Sequence, residues 1–336
     1  MQVNAIVCKE IAEDIGSVGL QQIELPDPGP GQVRVRLKAC AVNFPDLLMI
    51  QGKYQFKPPL PFAPGGEAAG DIEACGPGVS FKEGDAVIVG MRYGGFAEAV
   101  VVDESQVKPL PKGMSYAKGA SYQTAYLTAY VALKRRGYLE QGETLLVHGA
   151  TGGVGMAAVD LGKHLGAKVI GTGGRDDKLA VVASRGADHV INYTMEDGSL
   201  GGFRDTVKAL TDGRGADVIY DPVGGDVFDE SMRCINWGGR ILSIGFTSGR
   251  WPQAPVNLIL IKQISVIGVR AGEYGRQDPV KGLENAQRLY AMAEAGEIDP
   301  YISHALPLEK AVEAMRLLEQ RQVVGKAVVT MNGYQM

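Results

Sequence analysis

Little is present in excess in this 336-residue chain. Cysteine is scarce: Cys8, Cys40, Cys75 and Cys234 are widely scattered and include no C-x-x-C pair. That pattern argues against a disulfide framework and for the reduced thiols of a cytosolic protein. Charge of one sign is scarce too. Thirty-four Lys plus Arg stand against 38 Asp plus Glu, a net −4, so no general field draws the chain to nucleic acid or to an anionic membrane. No apolar run reaches the roughly 18 residues of a membrane span. The amino-terminal MQVNAIVCKEIAEDIG has no basic segment leading into a long apolar one, so no export is predicted. Repeats of fixed period and low-complexity segments are missing. What these absences leave is a folded, cytoplasmic protein whose expected partner is a small molecule.

What is present points to two domains. The chain is 45% hydrophobic and 21% charged, which is ordinary globular usage, and its length suggests two domains at roughly 150 residues each. The first third is punctuated by Pro26, Pro28, Pro30 and Gly31, then by Pro58, Pro59, Pro61, Pro64, Gly65 and Gly66. Between them Val33, Val35 and Leu37 alternate with Arg34, Arg36 and Lys38, the period of a half-buried strand. The segments GDAVIVG and AEAVVVD (84–90 and 97–103) read the same way. A β-rich domain of short strands is therefore predicted for about the first 125 residues. A helical segment from about 114 ends in Lys134, Arg135, Arg136 and Gly137; cations in a last turn followed by Gly suit the helix dipole and its C-cap.

Strands and helices then alternate. Strands are predicted at 144–149, 168–172, 187–193, 216–221, 240–245 and 264–269, with helices between them, one of them near 226–236. Short apolar strands separated by helices imply a parallel sheet covered on both faces, and six of them complete a doubly wound α/β dinucleotide fold. Two amphipathic helices follow, near 279–296 and 307–321, then a last strand at 325–331. In the first of these helices Leu283, Ala286, Leu289 and Tyr290 fall on one face.

The string from His148 to Gly155, HGATGGVG, sits where the first of these strands becomes a helix. Pyrophosphate needs backbone N–H groups at a helix start, unobstructed by a Cβ. Gly152 and Gly153 permit that approach and Gly155 permits tight helix-on-strand packing. Thr151 and Val154 complete the turn. A Gly-rich string alone is weak evidence; its position between strand and helix, opening a run of βα units, supplies the specificity. His148, ending a buried strand, reads as a packed core histidine.

The choice of dinucleotide is read at the end of the second strand, where a carboxylate would bond the ribose hydroxyls of NAD and repel a 2′-phosphate. Gly173 and Gly174 stand there, followed by Arg175 and, three residues on, Lys178. Two cations and no acid at the tip predict NADPH through charge-assisted phosphate contacts. In the competing reading Asp176 turns back to the ribose while Arg175 and Lys178 solvate a helix; Asp176 and Asp177 also suit a first helical turn.

Together the β-rich start, VNFPDLLMIQGKY, PGGEAAG, GGFAEAVVV, LTAYVAL, HGATGGVG and DPVGG resemble the zinc-independent quinone oxidoreductase branch of the medium-chain dehydrogenase/reductase superfamily, in order and over essentially the whole chain. The zinc enzymes of that superfamily hold a catalytic metal with a Cys near the position of Asn43 and a His just before Glu67. Here those places read Asn43 and Gly66, and dispersed Cys and His offer no zinc cluster. The resemblance implies a GroES-like substrate domain (1–125 and 271–336) and a Rossmann domain (126–270), with two subunits pairing through its sixth strand. It implies that Tyr193 and Arg321 join Lys178 around the 2′-phosphate, that Thr128, Ile244, Gly245 and Phe246 lie by the nicotinamide, and that Val223 and Gly224 line the cofactor site. Asp160 departs from the branch, where Gln is usual.

For the chemistry, a hydride passed to a carbon conjugated to a carbonyl leaves negative charge on oxygen that must be stabilised or protonated. Tyr54, in QGKYQFK, matches the proposed proton donor of related enoyl thioester reductases. Asn43 is a second candidate, as an amide orienting cofactor or carbonyl, with Asp46 holding the network by accepting a hydrogen bond. Arg92, Tyr93 and Arg270 are placed at the substrate entrance, and Glu67 is read as structural. The expected function is NADPH-dependent reduction of quinones or other α,β-unsaturated carbonyls. The alternatives are an enoyl thioester reductase and, in another class, a non-catalytic structural (crystallin-like) or RNA-binding protein, against which the charge balance counts.

Overall fold

The structure, a computed structural model, describes residues 1–336. In chain order it begins with β1 (Gln2–Val7), β2 (Gly19–Glu24), β3 (Gln32–Val42), α1 (Phe44–Ile50), β4 (Glu67–Cys75), β5 (Ala86–Gly90), β6 (Ala99–Asp103), β7 (Val107–Pro109) and α2 (Tyr116–Tyr130), the last continuing as a π-helical stretch over Val131–Arg136. There follow β8 (Thr144–Val147), α3 (Gly153–His164), β9 (Lys168–Gly173), α4 (Asp176–Ser184), β10 (His189–Asn192), α5 (Arg204–Ala209), β11 (Ala216–Asp221), α6 (Gly225–Cys234), β12 (Ile235–Ser243), α7 (Val256–Lys262) and β13 (Ser265–Gly268). The chain ends with α8 (Ala271–Gln277), α9 (Pro279–Glu294), β14 (Ile302–Pro307), α10 (Ala311–Glu319) and β15 (Lys326–Thr330).

Two compact units result, one of Met1–Gln123 with Tyr290–Met336 and one of Thr124–Leu289. In the first, the sheet runs β14-β15-β3-β4-β5-β7 with β6 also on β3. β3 shows the alternation read from sequence. Val33, Val35 and Leu37 are fully buried, while Arg34 and Arg36 on the opposite face both bond Glu73 of β4. Two pairings matter for the site. β15 runs antiparallel to β3 with Ala327 opposite Val42, and β4 runs antiparallel to β3 with Ala68 opposite Cys40. Lys326 and Glu67 are thereby each brought beside the end of β3, where Asn43 follows.

The second unit is a six-stranded parallel sheet in the order β10-β9-β8-β11-β12-β13. Its core is formed by Leu146, Ile170, Ile219 and Ile241 from the strands with Phe203, Phe228 and Met232. The chain reverses direction across the sheet between β8 and β11, the switch point at which ligands of such folds bind beyond the strand ends. Helix α6 ends at Cys234 and β12 begins at Ile235, two residues earlier than the helical pattern suggests, because Ile235 is already extended and pairs with Ala216. Helix α8 and most of α9 cluster with this unit, and the chain returns to the first unit at Tyr290. The predicted apolar face of α9 needs one correction. Leu283 is 59% exposed, whereas Asn285 is buried, because its side-chain oxygen accepts from Arg135 Nε at 2.7 Å and turns that face inward. No helix is long and apolar enough to cross a membrane.

Candidate active site

In the second unit the loops that carry most of the predicted cofactor residues follow the ends of parallel strands of one sheet. β8 leads into a turn where Gly149 adopts φ 55° and the Ala150 N–H bonds the Thr172 carbonyl of β9 at 3.0 Å. Helix α3 then starts with Gly152 at its N-cap and no side chain bonded there. Its first-turn N–H groups have no carbonyl four residues back inside the helix, and Thr151, Gly152, Gly153 and Val154 are all partly exposed. The tightness of the turn is set by Gly155, where a Cβ would stand 2.2 Å from the Gly149 carbonyl oxygen.

Beside this turn, β9 and β10 end in register, Gly173 opposite Asn192, and the Tyr193 N–H donates to the Gly173 carbonyl. Gly174, Arg175 and Tyr193 are therefore neighbours, with Lys178 in the first turn of α4. Lys178 is only 7% exposed; burial, with the nearby Arg175 charge, holds its ammonium below the usual lysine range. Arg175 differs: it is well exposed, and it pairs with Asp177 at 2.7 Å. The Asp176 carboxylate accepts from the Asn192 side chain at 3.0 Å.

Two further strand ends complete the group. Asp221, buried at the end of β11, accepts from the N–H groups of Val223 and Gly224 at 2.8 and 2.9 Å. Burial pushes its carboxyl up to about 6 against the pull of those two donors. Gly224 takes φ 69°. After β12, the loop carrying Ile244, Gly245 and Phe246 is tied to it: the Ile244 N–H donates to the Asp221 carbonyl and the Thr247 N–H to that of Pro222. The remaining two predicted residues belong to other elements. Thr128 lies within α2 with its hydroxyl bonded to the Thr124 carbonyl at 2.8 Å. Arg321 belongs to the first unit and follows α10 at φ 56°.

His148 is buried, with Nδ1 bonded to Thr172 and Nε2 to Ser231, both at 2.8 Å. Burial pushes its pKa down to about 3, so it is the neutral core residue that its sequence position suggests. Asp160 accepts from the Tyr126 hydroxyl and from Arg185, which gives this departure from the branch a local partner set.

In the first unit a polar cluster lies around the start of α1. The Asn43 N–H donates to Asp46 Oδ2 at 2.8 Å and the Gly65 N–H to Asp46 Oδ1 at 3.1 Å, so Asp46 clamps the turn. Burial pushes the Asp46 carboxyl up to about 7, against the pull of those two donors. Asn43 Nδ2 donates to Glu67 Oε1 at 3.0 Å. Lys326 Nζ donates to both Asn43 Oδ1 and Glu67 Oε1, at 2.6 and 2.8 Å. Lys326 was not among the residues predicted from sequence; the available signal was a lysine opening the otherwise apolar strand KAVVT.

Tyr54 follows α1 at its other end and is not bonded to this cluster. It is half-buried on the first unit's core together with Phe56, Met91 and Tyr93. Phe56 stacks on Tyr93 with ring centroids 6.1 Å apart, and the Arg92 guanidinium lies 4.6 Å from the Phe56 centroid. Phe56 and Tyr93 thus form an aromatic pair that carries one cation.

Residues 153–298 match the family described as Zinc-binding dehydrogenase, and residues 29–112 the one described as Alcohol dehydrogenase GroES-like domain. The chain is 39% identical to the quinone oxidoreductase-like protein 2 homolog of Nematostella vectensis over 97% of this chain and 88% of that protein. Among solved structures, an NAD-dependent alcohol dehydrogenase superposes with TM-score 0.86 at 32% identity, covering 98% of this chain and all of that one. A mycobacterial protein complexed with NADPH superposes with TM-score 0.86 at 28% identity, covering 97% and 99% of the two chains. The chain belongs to the medium-chain dehydrogenase/reductase superfamily and is an oxidoreductase of that class. Within it, the chain falls in the zinc-independent quinone oxidoreductase branch.

The name of the first matched family implies zinc, and the residues present do not fit it. No three His, Cys, Asp or Glu side chains are grouped to hold a metal ion. At Asn43 the Glu67 carboxylate already faces an ammonium. The buried Cys40 thiol is pushed well above its usual range, first by burial and then by the carboxylates of Asp46 and Glu67.

Proposed function

We propose that this chain is an NADPH-dependent, zinc-independent reductase of quinones or other α,β-unsaturated carbonyl compounds. The observation that carries the reading is the strand-end group of the second unit: an uncapped helix start behind Gly152 and Gly153, beside a buried Lys178 ammonium and a strand tip whose nearest carboxylates are already engaged. Asp176 is bonded to Asn192 and Asp177 to Arg175, which supports a ribose site not read by a carboxylate. The cradle fits pyrophosphate through backbone N–H groups and the helix dipole, with Thr151, Val154, Val223 and Gly224 around it. Lys178, Arg175, Tyr193 and Arg321 are the residues proposed to hold the 2′-phosphate. Thr128 and the loop of Ile244, Gly245 and Phe246 are proposed to lie by the nicotinamide.

When bound, the dihydronicotinamide supplies the hydride. The chain's own residues then deal with the acceptor. The Asn43 amide donates a hydrogen bond to the acceptor oxygen, Asp46 keeps the Asn43 backbone in place, and the Tyr54 hydroxyl delivers a proton where the product needs one. The apolar wall of Phe56 and Tyr93 suits a planar acceptor. Pairing of two subunits along β13 is part of the proposal. That strand is the outer edge of its sheet, and Val256, Leu260 and Ile261 of the preceding helix are 69–78% exposed.

The test is the initial rate of NADPH oxidation against benzoquinones, naphthoquinones, enones and enoyl-CoA esters, with NADH run in parallel. Turnover of quinones or enones with NADPH preferred supports the reading. Activity confined to enoyl-CoA esters replaces the acceptor class. Tight NADPH binding without turnover of any acceptor refutes the enzyme and leaves a non-catalytic nucleotide-binding protein.

A further inference from the structure

The triangle of Asn43, Glu67 and Lys326 comes from three separate parts of the chain, and the sheet assembles it. Lys326 and Glu67 are almost completely buried, at 5% and 1% exposure, while Asn43 is partly open. An ion pair buried to this degree gives little net stability, since well-packed apolar residues of the same volume commonly do as well or better. Its geometry, however, controls the amide. Lysine can only donate and an ionised carboxylate can only accept. The carboxamide of Asn43 therefore has one satisfactory orientation, oxygen toward Lys326 and nitrogen toward Glu67; the flipped form would set donor against donor and acceptor against acceptor. The backbone is held as well, through the Asp46 carboxylate. One N–H of the amide is used by Glu67 and the other is left for a ligand. A carbonyl oxygen bonded to an ammonium draws electron density from its nitrogen, so that remaining N–H is a stronger donor than a free asparagine offers.

We propose that Lys326 is a positioning residue for carbonyl reduction: held by Glu67, its ammonium grips the Asn43 carboxamide and presents the free amide N–H as a preset donor to the acceptor oxygen. The inference rests on the reductase reading above and deepens it, because it names how the oxyanion is met without a metal ion. The positive charge at this place is built into the chain, and it acts through Asn43.

The experiment is a double-mutant cycle on the full chain with NADPH and an enone or quinone found active. Lys326→Met is expected to lower kcat roughly tenfold to a hundredfold, as loss of a preset geometry does, with KM for NADPH unchanged. Asn43→Ala is expected to lose at least as much, and Asn43→Ala with Lys326→Met no more than Asn43→Ala alone. Lys326→Met with Glu67→Leu removes both buried charges. It is expected to recover thermal stability while kcat stays low, which a purely structural ion pair would not do. Wild-type kcat in Lys326→Met, or losses that multiply in the Asn43 and Lys326 double variant, overturns the proposal.

A second readout needs no turnover. The Asn43 side-chain NH2 pair in an amide NMR spectrum, assigned by its disappearance in Asn43→Ala, is expected to be widely split and slow to exchange. In Lys326→Met it should shift to the values of a solvent-exposed amide; an unmoved signal overturns the proposal. If the wild-type protein turns over no acceptor, the reductase reading fails, and this signal still decides whether Lys326 holds Asn43.

Discussion

Substitution of Lys178 by Met separates the cofactor assignment from general damage. Methionine keeps an unbranched stem of similar reach and removes only the ammonium. Lys178 as a residue is 7% exposed, and a hydrogen bond to a charged partner contributes about 1.5–3 kcal/mol. At about 1.4 kcal/mol per tenfold, kcat/KM for NADPH should fall roughly 10- to 150-fold. NADH, which has no 2′-phosphate, should change less than about threefold, since no charge-assisted bond is lost. Arg175→Ala is the control. Its guanidinium is well exposed and already paired with Asp177, and such surface pairs are worth about 0–1 kcal/mol, so the NADPH loss should be at most about fivefold. Thermal melts of Lys178→Met separate a loss of stability from a loss of nucleotide affinity. Initial rates with both dinucleotides, run alongside thermal melts, test all of this. Equal losses for NADPH and NADH, or a larger loss in Arg175→Ala than in Lys178→Met, would refute the assignment.

Three further outcomes are expected. Gly155→Ala puts a Cβ 2.2 Å from the Gly149 oxygen and 2.8 Å from its carbon; it should destabilise the protein by about 1–3 kcal/mol or more in urea melts, with weaker nucleotide binding by titration. Asp46 goes from an ordinary value of 3.8 to about 7 on folding, so the folded state holds a proton that the unfolded state has lost. This contribution to stability is greatest on the acid side and is lost as pH rises through about 7, by about 4 kcal/mol in all. Denaturant melts across that range should show the wild-type protein losing stability relative to Asp46→Asn as pH rises, and parallel curves would contradict it. Tyr54→Phe should lower kcat for enones roughly a hundredfold while quinones, being intrinsically reactive, keep near-normal rates and the melting temperature stays put; equal effects on both acceptors would remove Tyr54 as a proton donor.

Much of the architecture was legible because it rests on local periodicity. The alternation of Val33, Val35 and Leu37 with Arg34, Arg36 and Lys38 reappears as the two faces of β3. The βα alternation after residue 144 reappears as the six-stranded parallel sheet. The Gly-rich turn between β8 and α3 was legible for the same reason, since it joins a strand to a helix that follows it closely in the chain. Leu283 was misread because periodicity registers hydrophobicity and not pairing. The inward face of α9 is set by Asn285 meeting Arg135, a polar contact between residues 150 apart.

The chain's order of residues thus determined the strands, the helices and the Gly-rich turn between β8 and α3, all of which depend on near neighbours. Only the tertiary structure decided what surrounds Asn43. Lys326 lies 283 residues from Asn43, and no local pattern records that β15 pairs with β3 beside β4. Burial of a Lys–Glu pair becomes tolerable only when three strand ends meet there and bring the two charges and the Asn43 amide into hydrogen-bond contact, a condition that belongs to the assembled sheet.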